Sequence, residues 1–162
     1  MTSPHAGVSV VIAAPSGAGK TSLARELVRR RENVVFALSA TTRAPRPGEQ
    51  NDADYRFVDD AEFSRLVETG QLLEWAVVHG SKYGTLMESI SRAVASGVSV
   101  VLDIDIQGAR QVRERLPGAV LVFVLPPSAE ELARRLTGRA SETAEQRKIR
   151  LLAAGQELAA AS

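Results

Sequence analysis

Residues 8–21 read Val-Ser-Val-Val-Ile-Ala-Ala-Pro-Ser-Gly-Ala-Gly-Lys-Thr. An apolar run breaks at Pro15, passes through Gly17 and Gly19, and ends on Lys20-Thr21. A buried strand that turns sharply into a helix has this form. The pattern G-x-x-x-x-G-K-[ST] is met at Gly19, Lys20 and Thr21, with Ala14 in place of the first glycine. Successive backbone N–H groups from Ala14, Pro15, Ser16, Gly17, Ala18, Gly19, Lys20, Thr21 and Ser22 form a segment able to cradle phosphate oxygens, Pro15 alone having no N–H to give. Lys20 adds a mobile positive charge, and the Thr21 hydroxyl can meet a magnesium ion. Gly17 and Gly19 permit positive φ and close backbone approach. A positive φ at Ala14 would cost about 1–2 kcal/mol. Pro15 drives the residue before it towards extended backbone, so Ala14 is expected at negative φ, and the departure from the motif is cheap.

Outward from that loop, apolar runs at 8–14, 34–39, 98–105 and 119–125 alternate with helical patterns at 20–30, 107–115 and 128–137. Most of the runs do not alternate with polar residues, as expected of parallel strands buried on both faces. Ser128 followed by Glu131 is a capping-box signature. This rhythm predicts an α/β fold, a doubly wound parallel sheet of the P-loop type. Residues 41–96 differ, being richer in Asp, Glu, Gly, Pro and aromatics. They are expected to form an insertion, with a helix at 59–69, a strand at 72–79 and a helix at 85–96. A last helix is expected from about 143 to the end.

Composition bounds the function. The 162 residues carry 20 Lys and Arg against 19 Asp and Glu, a formal charge of +1 that gives no reason to expect a nucleic-acid or membrane surface. Cysteine is absent, which excludes disulfides and Cys-based metal sites. No apolar run approaches the roughly 18 residues of a membrane span, and 8–14 lacks the flanks of a signal peptide, so cytoplasm is the expected compartment. His5 and His79 are isolated and suggest no metal site.

A second cluster lies at 39–49, Ser-Ala-Thr-Thr-Arg-Ala-Pro-Arg-Pro-Gly-Glu, where two prolines hold Arg43 and Arg46 as a candidate anion clamp. Tyr55, the pair Glu74-Trp75, and Tyr83-Gly84-Thr85 follow. With Leu-Asp-Ile-Asp-Ile-Gln-Gly-Ala at 102–109, this series resembles the guanylate kinase family over nearly the whole chain. The resemblance implies ATP as phosphate donor, Mg²⁺ as cofactor and GMP (with dGMP) as acceptor. It implies that Arg43, Arg46, Tyr55 and Tyr83 hold the GMP phosphate, and that Ser39, Glu74, Thr85 and Asp103 face guanine. Chemistry agrees. Guanine offers N1–H and N2–H₂ on one edge, which one carboxylate accepts together, and adenine lacks that pair. Ser39 or Thr85 could donate to O6.

The strand at 98–105 ends in acid, so Asp103 or Asp105 could orient water on Mg²⁺ while the other caps the following helix. Asp103 is favoured for the site. Arg135 and Arg139 resemble the phosphate-reaching arginines of the family's lid, and Arg150 another; with Lys20 and Arg43 they form the expected catalytic set. Arg134, Arg147 and Lys148 are expected on a solvated face, and Ala140 replaces a family glycine at the lid hinge. The resemblance divides the chain into one unit: core at 8–40 and 97–134, GMP-binding insertion at about 41–96, lid at about 135–150. The family's further strand and helix are expected to be missing, leaving 119–125 with an open apolar edge through which a dimer could form. The rival readings are a guanylate-kinase-like binding module, or an inactive fragment that still binds GMP. Retention of Lys20, Thr21, Asp103 and the arginines argues for the enzyme.

Overall fold

The computed structural model describes residues 7–15, 17–78 and 80–137. In chain order these form β1 (Ser9–Ala13), α1 (Lys20–Arg30), β2 (Val34–Phe36), β3 (Ser39–Thr41), β4 (Arg56–Phe57), α2 (Asp60–Glu68) and β5 (Leu72–Val78). Then follow β6 (Ser81–Leu86), α3 (Met87–Ala95), β7 (Ser99–Asp103), α4 (Ile106–Arg115), β8 (Val120–Phe123) and α5 (Ala129–Thr137).

The apolar runs make one parallel sheet in the order β2-β7-β1-β8. Alternate side chains of its central strands enter two cores. Val11, Val100 and Leu102 pack with Ile90 of α3 and Val112 of α4. On the other face Ile12 and Val101 meet Ala24 of α1. Helices therefore cover both faces, the doubly wound arrangement that the uninterrupted Val/Ile runs predict.

A second, mixed sheet has the order β4-β3-β6-β5. Its β3, β6 and β5 are antiparallel neighbours, and β4 lies parallel to β3. Phe63 and Leu66 of α2 close its inner face over Ala40, Leu72 and Leu86. The sequence reading placed one strand within 41–96, where β4, β5 and β6 form, and β3 begins just ahead of it at Ser39. The run at 34–39 divides: the Ala37 N–H still donates to Val101 in the first sheet, while the Leu38 carbonyl accepts from Leu86 in the second. The expected helix at 85–96 starts at Met87, because Thr85 is held in β6 opposite Ser39.

Where β5 meets β6 the register slips: Leu72 faces Leu86 and Glu74 faces Thr85, leaving Leu73 as an extra residue. This bulge sends three neighbours to three places. Leu72 enters the core under α2, Leu73 the core of the first sheet, and Glu74 the cleft between the sheets. Arg115 Nη1 donates to the carbonyls of Leu72 and Leu73 at 3.3 and 3.1 Å, tying the bulge to α4. Among the described residues no helix is long and apolar enough to cross a membrane.

Candidate active site

The phosphate loop joins β1 to α1. Gly17 and Gly19 have φ of 87° and 95°, and the Ala18 N–H donates to the Pro15 carbonyl at 3.1 Å. A side chain at either glycine would be strained. Ala14 is buried and is not among the positive-φ residues, as Pro15 predicts. Ser16 lies outside the described residues; Ser22 sits in the first turn of α1. Lys20 Nζ lies 2.6 Å from Asp103 Oδ1 at the end of β7, both side chains about one-fifth exposed. Beyond that ion pair the buried Oδ1 has no hydrogen-bond partner among the described residues. Asp105 instead caps α4, its Oδ1 accepting from the Gly108 N–H at 2.8 Å. Asp105 is thus the capping acid of the two, and Asp103 is the one paired with Lys20.

A cleft of about 280 Å³ opens from Lys20 and Thr21 towards the second sheet and reaches Ser39, Tyr55, Glu74 and Tyr83. Glu74 is only 4% exposed. Its Oε1 accepts from Thr85 Oγ1 at 2.6 Å and from the Thr85 N–H at 3.1 Å. Burial pushes the Glu74 carboxyl above its ordinary range, and the two Thr85 donors pull it partly back. Thr85 stands behind Glu74 with its hydroxyl engaged, while Ser39 lines the cleft. Gly108 backs the carboxylate from α4: a Cβ there would lie 2.5 Å from Glu74 Oε2.

A second cleft, about 290 Å³, shares Thr21, Ser39, Tyr55 and Asp103 with the first and continues to Arg25, Arg43 and Arg46. The Arg43 guanidinium makes a two-pronged pair with Glu49, both bonds 2.9 Å, and its buried Nε has no partner among the described residues. It lies 5.3 Å from the Tyr55 ring centroid, and Tyr55 meets Tyr83 edge-on at 6.1 Å. The turn at 46–49 explains Glu49. Pro47 precedes Gly48 at φ 89°, the Glu49 N–H donates to the Arg46 carbonyl, and the chain folds back so that Glu49 Oε2 also accepts from the Arg46 N–H at 2.7 Å. The Arg43 fork, then the Arg46 N–H, hold the Glu49 carboxyl down to about 2. The same pairing raises Arg43 further above its ordinary value. Burial pushes the Tyr55 phenol up.

Arg135 of α5 pairs with Glu131 and donates from Nη1 to the Ala18 carbonyl at 3.2 Å, so it rests on the phosphate loop. Arg139 and Arg150, with most of the expected lid, lie outside the described residues. Glu131 N–H donates to Ser128 Oγ at 3.1 Å, the first half of the expected box, but the Glu131 side chain turns forward to Arg134 and Arg135. Sequence reasoning missed Glu49 as the partner of Arg43, although its Pro-Gly turn is a readable signal. It also missed Arg25, which carries no motif.

Residues 7–161 match the family model of guanylate kinase. Guanylate kinase of Bordetella pertussis is 54% identical over 159 residues, covering 98% of this chain and 74% of that one. That of Thermobifida fusca is 53% identical over 150 residues, covering 93% and 76%. The crystal structure of guanylate kinase from Anaplasma phagocytophilum superposes with a TM-score of 0.68 at 37% identity, covering 95% of this chain and 71% of the other. A phosphate loop facing a buried carboxylate across two joined clefts is therefore matched by relatedness along nearly the whole length, and the chain belongs to the guanylate kinase family.

Proposed function

We propose that this chain moves the γ-phosphoryl group of ATP onto the phosphate of GMP (or dGMP), giving ADP and GDP (or dGDP), with residues 41–96 as acceptor insertion on the core. The observation that carries the reading is Glu74, a buried carboxylate opening on a cleft whose far end is Lys20. Guanine's N1–H and N2–H₂ would supply the hydrogen bonds that burial from solvent denies Glu74, and Ser39 would meet O6. Adenine would leave the carboxylate buried and unpaired, a steep penalty. Arg43, Arg46, Tyr55 and Tyr83 would hold the acceptor phosphate, whose oxygens would satisfy the orphan Nε of Arg43.

The loop from Ala14 to Ser22 would hold the donor phosphates, with Lys20 leaving Asp103 to reach them. The buried, otherwise unpartnered Oδ1 of Asp103 and the Thr21 hydroxyl fit a Mg²⁺ ion held mainly through water and phosphate oxygens, where it would neutralise developing charge. Among the described residues no cluster of acids or histidines forms a fuller metal cage. Arg135, which donates to the Ala18 carbonyl, would bring charge to the loop, and Arg139 and Arg150 would add to it. The reaction needs positioning and charge more than proton transfer.

The test is ADP formation with ATP, Mg²⁺ and either GMP or AMP. GMP-dependent turnover that AMP does not elicit, abolished by Lys20→Ala, is expected. Saturable GMP binding without turnover would instead favour the binding-module reading. We also propose that two copies pair through β8, whose Val120 and Leu121 are 49% and 43% exposed. A sedimentation mass that stays monomeric as concentration rises would overturn this.

A further inference from the structure

Helix α1 carries three arginines, and two of them share one acid: Arg29 and Arg30 both pair with Glu26 at 2.7 Å. Arg25 is different. It is exposed, has no hydrogen-bond or ion-pair partner among the described residues, and lines the acceptor cleft beside Arg43 and Arg46. It sits four residues after Thr21, hence one turn further along the same helix face. Thr21 lines both clefts, and Arg25 lines only the second. The helix that starts on the donor-phosphate loop therefore continues into the acceptor site and presents a cation there.

The charges around it explain why that cation matters. Arg43 is taken up by Glu49, and Lys20 by Asp103. Asp54, the remaining acid of the cleft, accepts from the Gln50 N–H at 2.8 Å and does not pair with Arg25. A phosphate monoester carries close to two negative charges near neutral pH. A clamp whose Arg43 is already half neutralised leaves that charge under-matched. We propose that Arg25 is a third phosphate-binding arginine of the acceptor site, contacting the acceptor's phosphate from the α1 side. This rests on the acceptor reading above.

The experiment is calorimetry of GMP and guanosine binding to the full chain, with Arg25→Gln, Arg46→Gln and Arg31→Gln. Arg31 follows α1 and is exposed outside the cleft, so its variant removes the same charge without the contact. The expected result is a Kd for GMP raised about fivefold by Arg25→Gln, the upper range for an exposed charge pair. Guanosine, which has no phosphate, binds Arg25→Gln as it does the wild type. Arg31→Gln leaves both unchanged, and Arg25→Lys recovers part of the loss. GMP binding that Arg46→Gln weakens but Arg25→Gln does not would overturn the proposal while leaving the acceptor site in place. Equal losses from Arg25→Gln and Arg31→Gln would reduce Arg25 to a general field and also overturn it. A wild-type chain that does not bind GMP would remove both.

Discussion

Glu74 carries a conflict that can be measured. Its carboxyl sits above the ordinary range because burial penalises the charged form. In the unfolded chain it would ionise at its usual pKa. The folded state therefore holds the proton more tightly, and stability falls as pH rises from the unfolded to the folded pKa. Above that window the molecule carries a buried charge with no cation paired to it, which is destabilising. Glu74→Gln should therefore raise Tm at pH 8 more than at pH 4, read by thermal melting across pH. The same substitution replaces one of the two acceptor oxygens proposed to meet guanine's donors with an NH₂ donor, so KM for GMP should rise about 10- to 100-fold. Gain in stability with loss of function in one variant is the pattern of a residue kept for binding. Glu49 behaves oppositely. Held down to about 2 by Arg43, it stays ionised wherever the protein would be assayed. The acid limb of kcat/KM for GMP should then lie at about 6, where a phosphate monoester gains its second proton, and not at the Glu49 value.

At the level of elements, the phosphate loop and the parallel strands were legible because each is a local rule: Val/Ile runs for buried strands, Gly-Lys-Thr for the loop, and an acid ahead of α4 for its cap. The second sheet was not. Its β6, Ser-Lys-Tyr-Gly-Thr-Leu, has neither an apolar run nor clean alternation, and it becomes a strand through pairing with β3 and β5. The bulge at Leu73 was hidden for the same reason, since register lives in the partner strand. Glu74 could thus be named from the resemblance while its burial could not. Gly108 tests how tightly α4 backs it. A Cβ there would meet Glu74 Oε2, the movable end of a side chain, at 2.5 Å. Gly108→Ala should cost little stability, because alanine is the better helix former and the atom its Cβ meets is the end of a side chain. It should nonetheless raise KM for GMP about tenfold by displacing that oxygen. Steady-state kinetics beside melting curves would check both halves. The paired acids separate likewise. Asp105→Ala removes a helix cap and should cost about 1 kcal/mol of stability, whereas Asp103→Asn should leave the melt nearly unmoved and suppress turnover.

Across the whole molecule, the acceptor site belongs to neither sheet alone. Glu74 and Tyr83 come from β5 and β6 of the second sheet and Tyr55 from the residue before β4, whereas Asp103 ends β7 of the first sheet and Thr21 lies in the first turn of α1, and the joined clefts run between them. Among the described residues, Gln111 exchanges hydrogen bonds with the Trp75 backbone and Arg115 holds the bulge, tying α4 to the second sheet. A ligand that contacts both sides binds the folded arrangement and not the unfolded chain, so it adds its binding free energy to the stability of the fold. At one hundred times its Kd such a ligand stabilises by about 2.7 kcal/mol, which for a chain of this size is a rise in Tm of about 5–10 °C. GMP should produce that rise without ATP, since Glu74 and the arginines complete its site. AMP at the same concentration should not, because the purine without an N1–H and an amino group at C2 leaves Glu74 unpaired. A shift with GMP that Glu74→Gln removes and Lys20→Ala preserves would locate the bridge at the base-reading carboxylate. Equal shifts from GMP and AMP would mean that the phosphate clamp alone joins the two halves, and that guanine is selected at a later step.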